Sequence, residues 1–539
     1  MTTGQRSARP GRHLGDSALN RARRDREWGE LARLITAGGE VDLVVVGGGV
    51  TGAGIALDAA SRGLDVVLLE AHDLAFGTSR WSSKLAHGGL RYLASGRVGI
   101  AQRSARERGT LLERTAPHLV HEMTQVVPLF RDTPLTGKVL PRLGFIAGDA
   151  LRIAAGTSGS TLPLSSTVGP SKVAALSPTV RRDGLLGGHV NHDGQLVDDA
   201  RLVVALARTA ARHGARVLTG APVTAADGRS ATFRDALGDL GEMTLRARAV
   251  VNATGVWAGT LADDIRVRPS RGTHIVVDAE ALGNPPGSLT VAVPGHVNRF
   301  CFVLPAPHGR CYIGLTDEDA PGPVPDVPEV PEEDIHFLLD VVNRALDRKL
   351  TRDDVIGAFA GLRPLIDSGD GSTADLSREH AVLTGDDGLI SIVGGKLTEY
   401  RLMAEQAVDA ALDAMGADGA DRPACRTRTL PLVGAPGAAE GADVPPQLAA
   451  RHGAEAAEVV ASCPLDRPLE PVFPGSDVLR CEFAWAVTHE GACTAADILE
   501  RRTRLALVPA DGEAAAAAAD EVLTLPQASP ANPDHKENR

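Results

Sequence analysis

Residues 41–70 read VDLVVVGGGVTGAGIALDAASRGLDVVLLE. The apolar run 43–46 has the length of one buried strand, and Gly47, Gly49 and Gly52 follow it at G-x-G-x-x-G spacing. Residues 51–62 read as a helix with Ile55, Ala56, Ala59 and Ala60 along one face, and a second apolar run, 66–69, ends at Glu70. Gly47 permits the tight strand-to-helix turn. Gly49 lets the backbone approach a pyrophosphate lying on the helix N-terminus, and Gly52 lets helix and strand pack closely. Glu70 can accept hydrogen bonds from an adenosine ribose. Strand, glycines, helix, strand and acid arrive in the order of a dinucleotide site, which leaves NAD and FAD both open.

At 539 residues the chain exceeds one core. With 43% apolar and 23% charged residues it has an ordinary globular composition. A net charge of −12 gives no basic field, so nucleic acid is not expected as a partner. Cys301, Cys311, Cys425, Cys463, Cys481 and Cys493 form no C-x-x-C and no cluster with histidines, which predicts reduced thiols and no metal site. No 18-residue apolar run or signal-peptide core occurs, so a cytoplasmic protein without a spanning helix is expected. Residues 1–40 read as an arm, partly disordered, in which 17–35 form a charged, solvated helix.

Farther along, 198–212 read as a helix, 216–220 as a strand, and RAVVNATGVWAG, 248–259, as a buried strand ending in a glycine turn. Residues 128–159, rich in Pro and Gly, read as an excursion from the first core. The runs HIVVDAE, SLTVAVP, RFCFVLP and CYIGLTD predict a mostly antiparallel sheet over 270–319, and a Pro-rich stretch then leads to a helix over 335–346. Residues 389–412 repeat the strand–glycine–helix grammar, with Gly394 and Gly395 at the turn. A linker, 427–446, precedes a helical region, 447–527, and a disordered tail, 528–539.

The most unusual segment is GTSRWSSKLAHGGLRYL, 77–93. It gathers Thr78, Ser79, Ser82 and Ser83 with Arg80, Lys84 and Arg91 around the pair Gly88–Gly89. So many N–H and O–H donors beside a nucleotide turn suit a pyrophosphate and an isoalloxazine ring, which tips the choice toward FAD. His274 in RGTHIVV, Arg363 in AGLRPL, Arg378 and His380 in LSREHAV, and Lys396 in VGGKLTEYR are scattered. Taken singly, each fits a surface or structural role, and spacing cannot bring them together.

At these residues the chain resembles the FAD-dependent, quinone-linked glycerol-3-phosphate dehydrogenases. SSKLAHGGLRYL, VDDARLV, VNATGVW, GTHIVV, GLTDED, GLRPL, VGGKLTEYR and, near the end, THEGACTAADILERRTR occur in that family's order. The resemblance implies an α/β fold: a Rossmann-like FAD-binding domain, an antiparallel-sheet substrate domain and a helical C-terminal domain. The oxidoreductase region would span 41–426, with FAD-binding segments near 41–110, 185–265 and 355–415 and substrate segments near 111–184 and 266–354. It implies that Gly47, Gly49, Gly52 and Glu70 hold the ADP half of FAD. Thr78, Ser79, Ser82, Ser83, Lys84 and Leu85 would line the flavin side, as would Gly394, Gly395, Lys396, Leu397 and Thr398. Arg91, Tyr92, Arg363, Arg378 and Lys396 would hold the substrate phosphate, with His274 and Arg363 at its hydroxyl.

The implied reaction is oxidation of sn-glycerol 3-phosphate to dihydroxyacetone phosphate, by hydride transfer from C2 to flavin N5, with electrons passed to a membrane quinone. The enzyme would sit peripherally on the inner face of the cell membrane, with a homodimer left open. The alternative is an oxidase that uses O2 and makes H2O2; a flavin-binding protein without redox catalysis is disfavoured by the retained cationic set. Trp81, Ala86 and Glu399 depart from the family pattern, which usually has a small residue, a larger aliphatic and a threonine there.

Overall fold

The computed structural model describes residues 15–94, 96–238, 240–296, 299–366, 379–417, 422–436 and 443–526, excluding the side chains of Arg91 and Ala94. Its first sheet is built outward from Glu40–Val46, which pairs in parallel with Val66–Leu69 on one side and Met243–Asn252 on the other. Arg216–Leu218 and Ile390–Val393 extend it, and Ala381–Thr384 closes one edge antiparallel. The run VVV of Glu40–Val46 is apolar on both faces because helices cover both, as in other parallel sheets. Helix Val50–Ser61 lies between helices Asp199–Arg212 and Tyr400–Ala414 and is buried almost all round. Burying Ile55 and Leu57, 0% and 2% exposed, stabilises the domain by about 1.5–3 kcal/mol each.

The second sheet is larger and mostly antiparallel. Its centre is Val267–Asp278, which pairs with Arg310–Gly314 on one side and along its full length with Val355–Ile366 on the other. Phe300–Ala306 and Ser288–Ala292 continue it to a long pair, Val120–Phe130 with Leu185–Leu196. The sheet therefore extends well beyond 270–319. Leu185–Leu196 and Val355–Ile366, expected in the nucleotide-binding segments, pair here instead. For Val355–Ile366 this matters, because it places Arg363 opposite Ser270 and Phe359 opposite His274.

Two helices differ from expectation. Arg21–Thr36 is not a solvated helix: Arg23, Arg24, Glu27, Trp28 and Leu31 are buried against the first sheet, with Arg23 paired to Glu27 at 2.7 Å and Arg24 to Asp235 at 2.6 Å. The Pro/Gly-rich excursion contains a 21-residue helix, Leu135–Ala155. Gly137, Pro141, Gly144 and Gly148 fall along one side of it, and a Cβ on Gly148 would overlap Leu90.

The C-terminal helices, among them Arg480–Thr488 and Pro509–Leu523, enclose their own core. They are joined to the first domain by buried ion pairs. Arg502 grips Asp73 through two bonds of 2.7 and 2.8 Å, Arg501 reaches the same carboxylate at 2.6 Å, and Arg201 meets Glu490 at 2.7 Å. The ERRTR segment thus faces the loop just beyond Glu70. The termini, 1–14 and 527–539, lie outside the described residues. Among the described residues no helix is long and apolar enough to cross a membrane, and no group of His, Cys, Asp and Glu could hold a metal ion.

Candidate active site

One cavity of about 1650 Å³ runs from the first glycine turn to the centre of the second sheet. Its floor at one end is the Gly47–Gly52 turn. Gly47 has φ +107°, and a Cβ there would stand 2.7 Å from the Ala253 carbonyl oxygen. A Cβ on Gly52 would overlap the Gly47 carbonyl, so Gly52 serves packing and does not line the cavity. Gly49 does line it and caps helix Val50–Ser61, whose Val50 N–H donates to Ser79 Oγ at 2.9 Å. Glu70 lies at the same end, its carboxylate accepting from Gly48 N at 2.5 Å and His72 N at 2.8 Å. Burial pushes the Glu70 carboxyl up to about 7 despite those two donors.

The hydroxyl-rich loop forms a side wall through Thr78, Ser79, Ser82, Ser83 and Leu85. Thr78 donates to the Leu362 carbonyl at 2.6 Å, stitching this wall to the second sheet. Ser82 is fixed by Asp199, through its N–H at 2.9 Å and its hydroxyl at 2.7 Å. Lys84 is not on the cavity wall. At φ +55° its side chain turns beneath the loop, to Asp199 at 3.2 Å and over the Phe359 ring at 4.4 Å. Burial lowers this ammonium to about 8, with the Asp199 carboxylate opposing. Its role here is to hold the loop rather than to meet a ligand.

The opposite wall carries His274 and Arg363. His274 is 1% exposed, and its ring stacks on Phe359 with centroids 4.8 Å apart and planes 10° apart. Gly314 is required on the neighbouring strand, since a Cβ there would overlap the imidazole. Nε2 meets Ser83 Oγ at 2.9 Å, while Nδ1 is buried with no hydrogen-bond partner among the described residues. Burial, then the charges of Lys84 and Arg363, hold this histidine well below its ordinary pKa, so it is neutral at neutral pH. Arg363 is fixed by Ser270 Oγ at 3.1 Å, the Thr316 carbonyl at 3.1 Å and Asp317 at 3.2 Å.

The second glycine turn completes the site. Gly394 and Gly395 have φ of +80° and +83°, and a Cβ on Gly394 would come 2.7 Å from the Glu379 carbonyl. Lys396 Nζ reaches Ser104 Oγ at 2.6 Å and Glu399 at 2.8 Å, and stands 4.1 Å from the centre of the Tyr92 ring. Burial lowers the Lys396 pKa, and Glu399 opposes that. Leu397 and Thr398 line the cavity beside it, and the Thr398 hydroxyl is buried without a partner among the described residues. The Arg91 side chain and all of Arg378 lie outside the described residues.

The cavity therefore gathers His274, Arg363, Tyr92, Lys396 and both glycine turns. Spacing alone could not reveal the partners that set them: Ser104, Asp199, Asp317 and Phe359. Asp317 lies in GLTDED and Asp199 in VDDARLV, and their places in those motifs were the available signal. Of the departures, Trp81 stacks on Phe359 with centroids 5.8 Å apart and extends the His274–Phe359 stack, and Glu399 pairs with Lys396.

These residues fit FAD. Gly49 leaves room at a helix N-terminus for a pyrophosphate. Orphaned polar atoms, Thr398 Oγ1 and His274 Nδ1, are buried at the far end, where a ring bearing donors and acceptors would satisfy them.

Residues 42–401 match the FAD dependent oxidoreductase family, and residues 425–529 match the C-terminal domain of alpha-glycerophosphate oxidase. The chain is 56% identical over 517 residues to glycerol-3-phosphate dehydrogenase 1 of Mycobacterium tuberculosis, covering 94% of this chain and 99% of that one. It is 34% identical over 574 residues to the mitochondrial glycerol-3-phosphate dehydrogenase of Arabidopsis thaliana, covering 95% and 86%. The fold matches the FAD complex of glycerol-3-phosphate dehydrogenase from Bacillus halodurans at a TM-score of 0.70, with 28% identity over 93% of this chain and 94% of that one. The chain belongs to the FAD-dependent oxidoreductase family and, within it, to the glycerol-3-phosphate dehydrogenases.

Proposed function

We propose that the chain oxidises sn-glycerol 3-phosphate to dihydroxyacetone phosphate with FAD and passes the electrons to a membrane quinone, working in the cytoplasm at the inner face of the membrane. The observation that carries this reading is the convergence of His274, Arg363 and Lys396, from three separate segments, on one cavity that also holds the nucleotide turn. The names of the relatives supply the substrate class.

Bound FAD supplies the acceptor for the hydride leaving C2. The chain supplies the rest. Lys396, with Arg91 and Arg378, holds the phosphate dianion; Ser104, Glu399 and Tyr92 keep the ammonium in one place. Arg363, immobilised by Asp317, Ser270 and Thr316, stabilises negative charge developing on the substrate oxygen. His274 is neutral and takes the hydroxyl proton at Nε2, the nitrogen beside Ser83. Its low proton affinity keeps it unprotonated, and therefore competent, as pH falls toward weak acidity.

The test is the anaerobic flavin spectrum before and after addition of glycerol 3-phosphate. Bleaching is expected, and an unchanged spectrum of the FAD-loaded protein would refute the substrate. Turnover in air separates the acceptors: slow reoxidation without quinone is expected, whereas one peroxide per substrate would replace quinone by O2.

A further inference from the structure

Six non-glycine residues among those described hold a positive φ, and two of them meet at one atom. Lys84, at φ +55°, donates from Nζ to the Arg80 carbonyl at 3.2 Å, and Arg504, at φ +62°, donates to the same carbonyl. The left-handed conformation disfavours any residue but glycine, so it persists only where surrounding contacts hold it, and such strain gathers at functional sites. Arg504 comes from the C-terminal region, 424 residues beyond Arg80, and is 3% exposed. Its guanidinium also pairs with Asp198 at 3.1 Å, donates to the Glu500 carbonyl at 2.5 Å and lies 5.2 Å from the centre of the Trp81 ring. It does not line the cavity, and neither does any described residue beyond Met403.

What Arg504 touches sets the surroundings of His274. The Arg80 carbonyl opens the turn that carries Ser82, Ser83 and Lys84. Asp198 adjoins Asp199, which fixes Ser82 through its N–H and its hydroxyl and pairs with Lys84 at 3.2 Å. Ser83, between those two anchored residues, meets His274 Nε2 at 2.9 Å. Trp81 stacks on Phe359, the ring that backs His274. The chain just after Arg504 presses from the same side: a Cβ on Gly357 would overlap the Leu507 carbonyl, and Leu507 and Val508 pack with Phe359 and Tyr312. We infer that Arg504 is a positioning residue for proton removal, fixing the turn from Arg80 to Lys84 and thereby the place of Ser83 against His274. A guanidinium suits the task, because its planar fork serves a carbonyl and a carboxylate at once, which an ammonium does poorly. The inference rests on the reading of His274 as proton acceptor, and it gives the C-terminal region a part in the reaction without a residue in the cavity.

Arg504→Gly, Arg504→Lys and the double variant Arg504→Gly/Asp198→Asn test it in the FAD-loaded protein. Glycine accepts φ +62° without strain, so the backbone is eased where the guanidinium is lost. The double variant also removes the carboxylate that would otherwise stay buried and unpaired, and asparagine keeps the cap of helix Asp199–Arg212. In both glycine variants the rate constant for anaerobic flavin reduction by saturating glycerol 3-phosphate should fall about tenfold, with the substrate dissociation constant within about threefold, because a displaced wall costs rate more than affinity. Arg504→Lys should recover part of the loss. Backbone hydrogen exchange over residues 78–86 should quicken about tenfold in Arg504→Gly while that of Glu40–Val46 stays as in wild type. A wild-type rate constant per bound flavin in either glycine variant would overturn the inference. So would a lysine variant no faster than the glycine one, exchange that quickens equally in Glu40–Val46, or a double variant that binds no FAD, which would make Arg504 a folding residue. Wild-type flavin left unreduced by glycerol 3-phosphate would sink the functional reading, and the exchange measurement would still decide whether Arg504 holds the turn.

Discussion

The cavity has two strand–glycine–helix turns, and they work differently. At residues 47–52 the wall is backbone: a helix N-terminus, glycines without side chains, and a carboxylate engaged by two amides. At residues 394–399 the same grammar delivers a lysine and a glutamate, fastened to Ser104 and Tyr92 from far away in the chain. On the function proposed above, the first turn would hold the inert half of the cofactor, and the second would set charges beside the reacting half. A glycine turn alone therefore says where a nucleotide can sit, and only the side chains around its counterpart say what is done there.

Breaking the first turn should have the largest effect. Gly49→Val fills the space at the helix N-terminus, and the purified protein should retain less than about a tenth of its FAD, read from the flavin absorbance. A fully yellow variant would place the pyrophosphate elsewhere. On the chemical side, Arg363→Ala should cost up to about 4 kcal/mol in kcat/KM, since it removes a fixed cation from the developing charge. An unchanged value would take Arg363 out of the site.

Glu70 sharpens the comparison through pH. Its carboxyl is raised from 4.5 to about 7 in the folded protein, so the protonated form is favoured by folding. That contribution is complete below about pH 4.5 and is lost as pH rises to about 7, a change on the order of 3 kcal/mol in the cofactor-free protein. Urea unfolding across this window should show the decline, and Glu70→Gln should remove it. A slope that survives the substitution has another source. The smallest effect belongs to the second turn. Glu399→Gln takes an anion from beside the phosphate site and should lower KM about fivefold, near 1 kcal/mol, with kcat little changed. A raised KM would mean that the carboxylate is needed to aim Lys396.

The same contrast explains what could be read from the chain. Gly47, Gly49 and Glu70 sit in a contiguous pattern whose period and punctuation are local, so the nucleotide turn was legible. Leu185–Leu196 was not, because Gly187, Gly188 and Gly194 look like loop residues. They are glycines since neighbours press on the strand: a Cβ on Gly188 would stand 2.9 Å from Val126 and Val173, and one on Gly194 2.9 Å from the Ala86 carbonyl. Helix Leu135–Ala155 was hidden by residues that usually break helices. His274, Arg363 and Lys396 are scattered candidates that only a family resemblance groups into one site. Their settings, with Ser83, Asp317 and Glu399, join segments that no periodicity connects.

The grip of Arg501 and Arg502 on Asp73 has a consequence for biogenesis. Asp73 lies three positions after Glu70, buried and held well ionised by those two arginines. Until the arginines are synthesised, the loop beside the nucleotide's ribose end carries a carboxylate with no counter-charge, and it favours water over the folded position. On that account a chain ending at residue 430 should be purified colourless, and a yellow one would show that the C-terminal arginines are not needed for flavin capture.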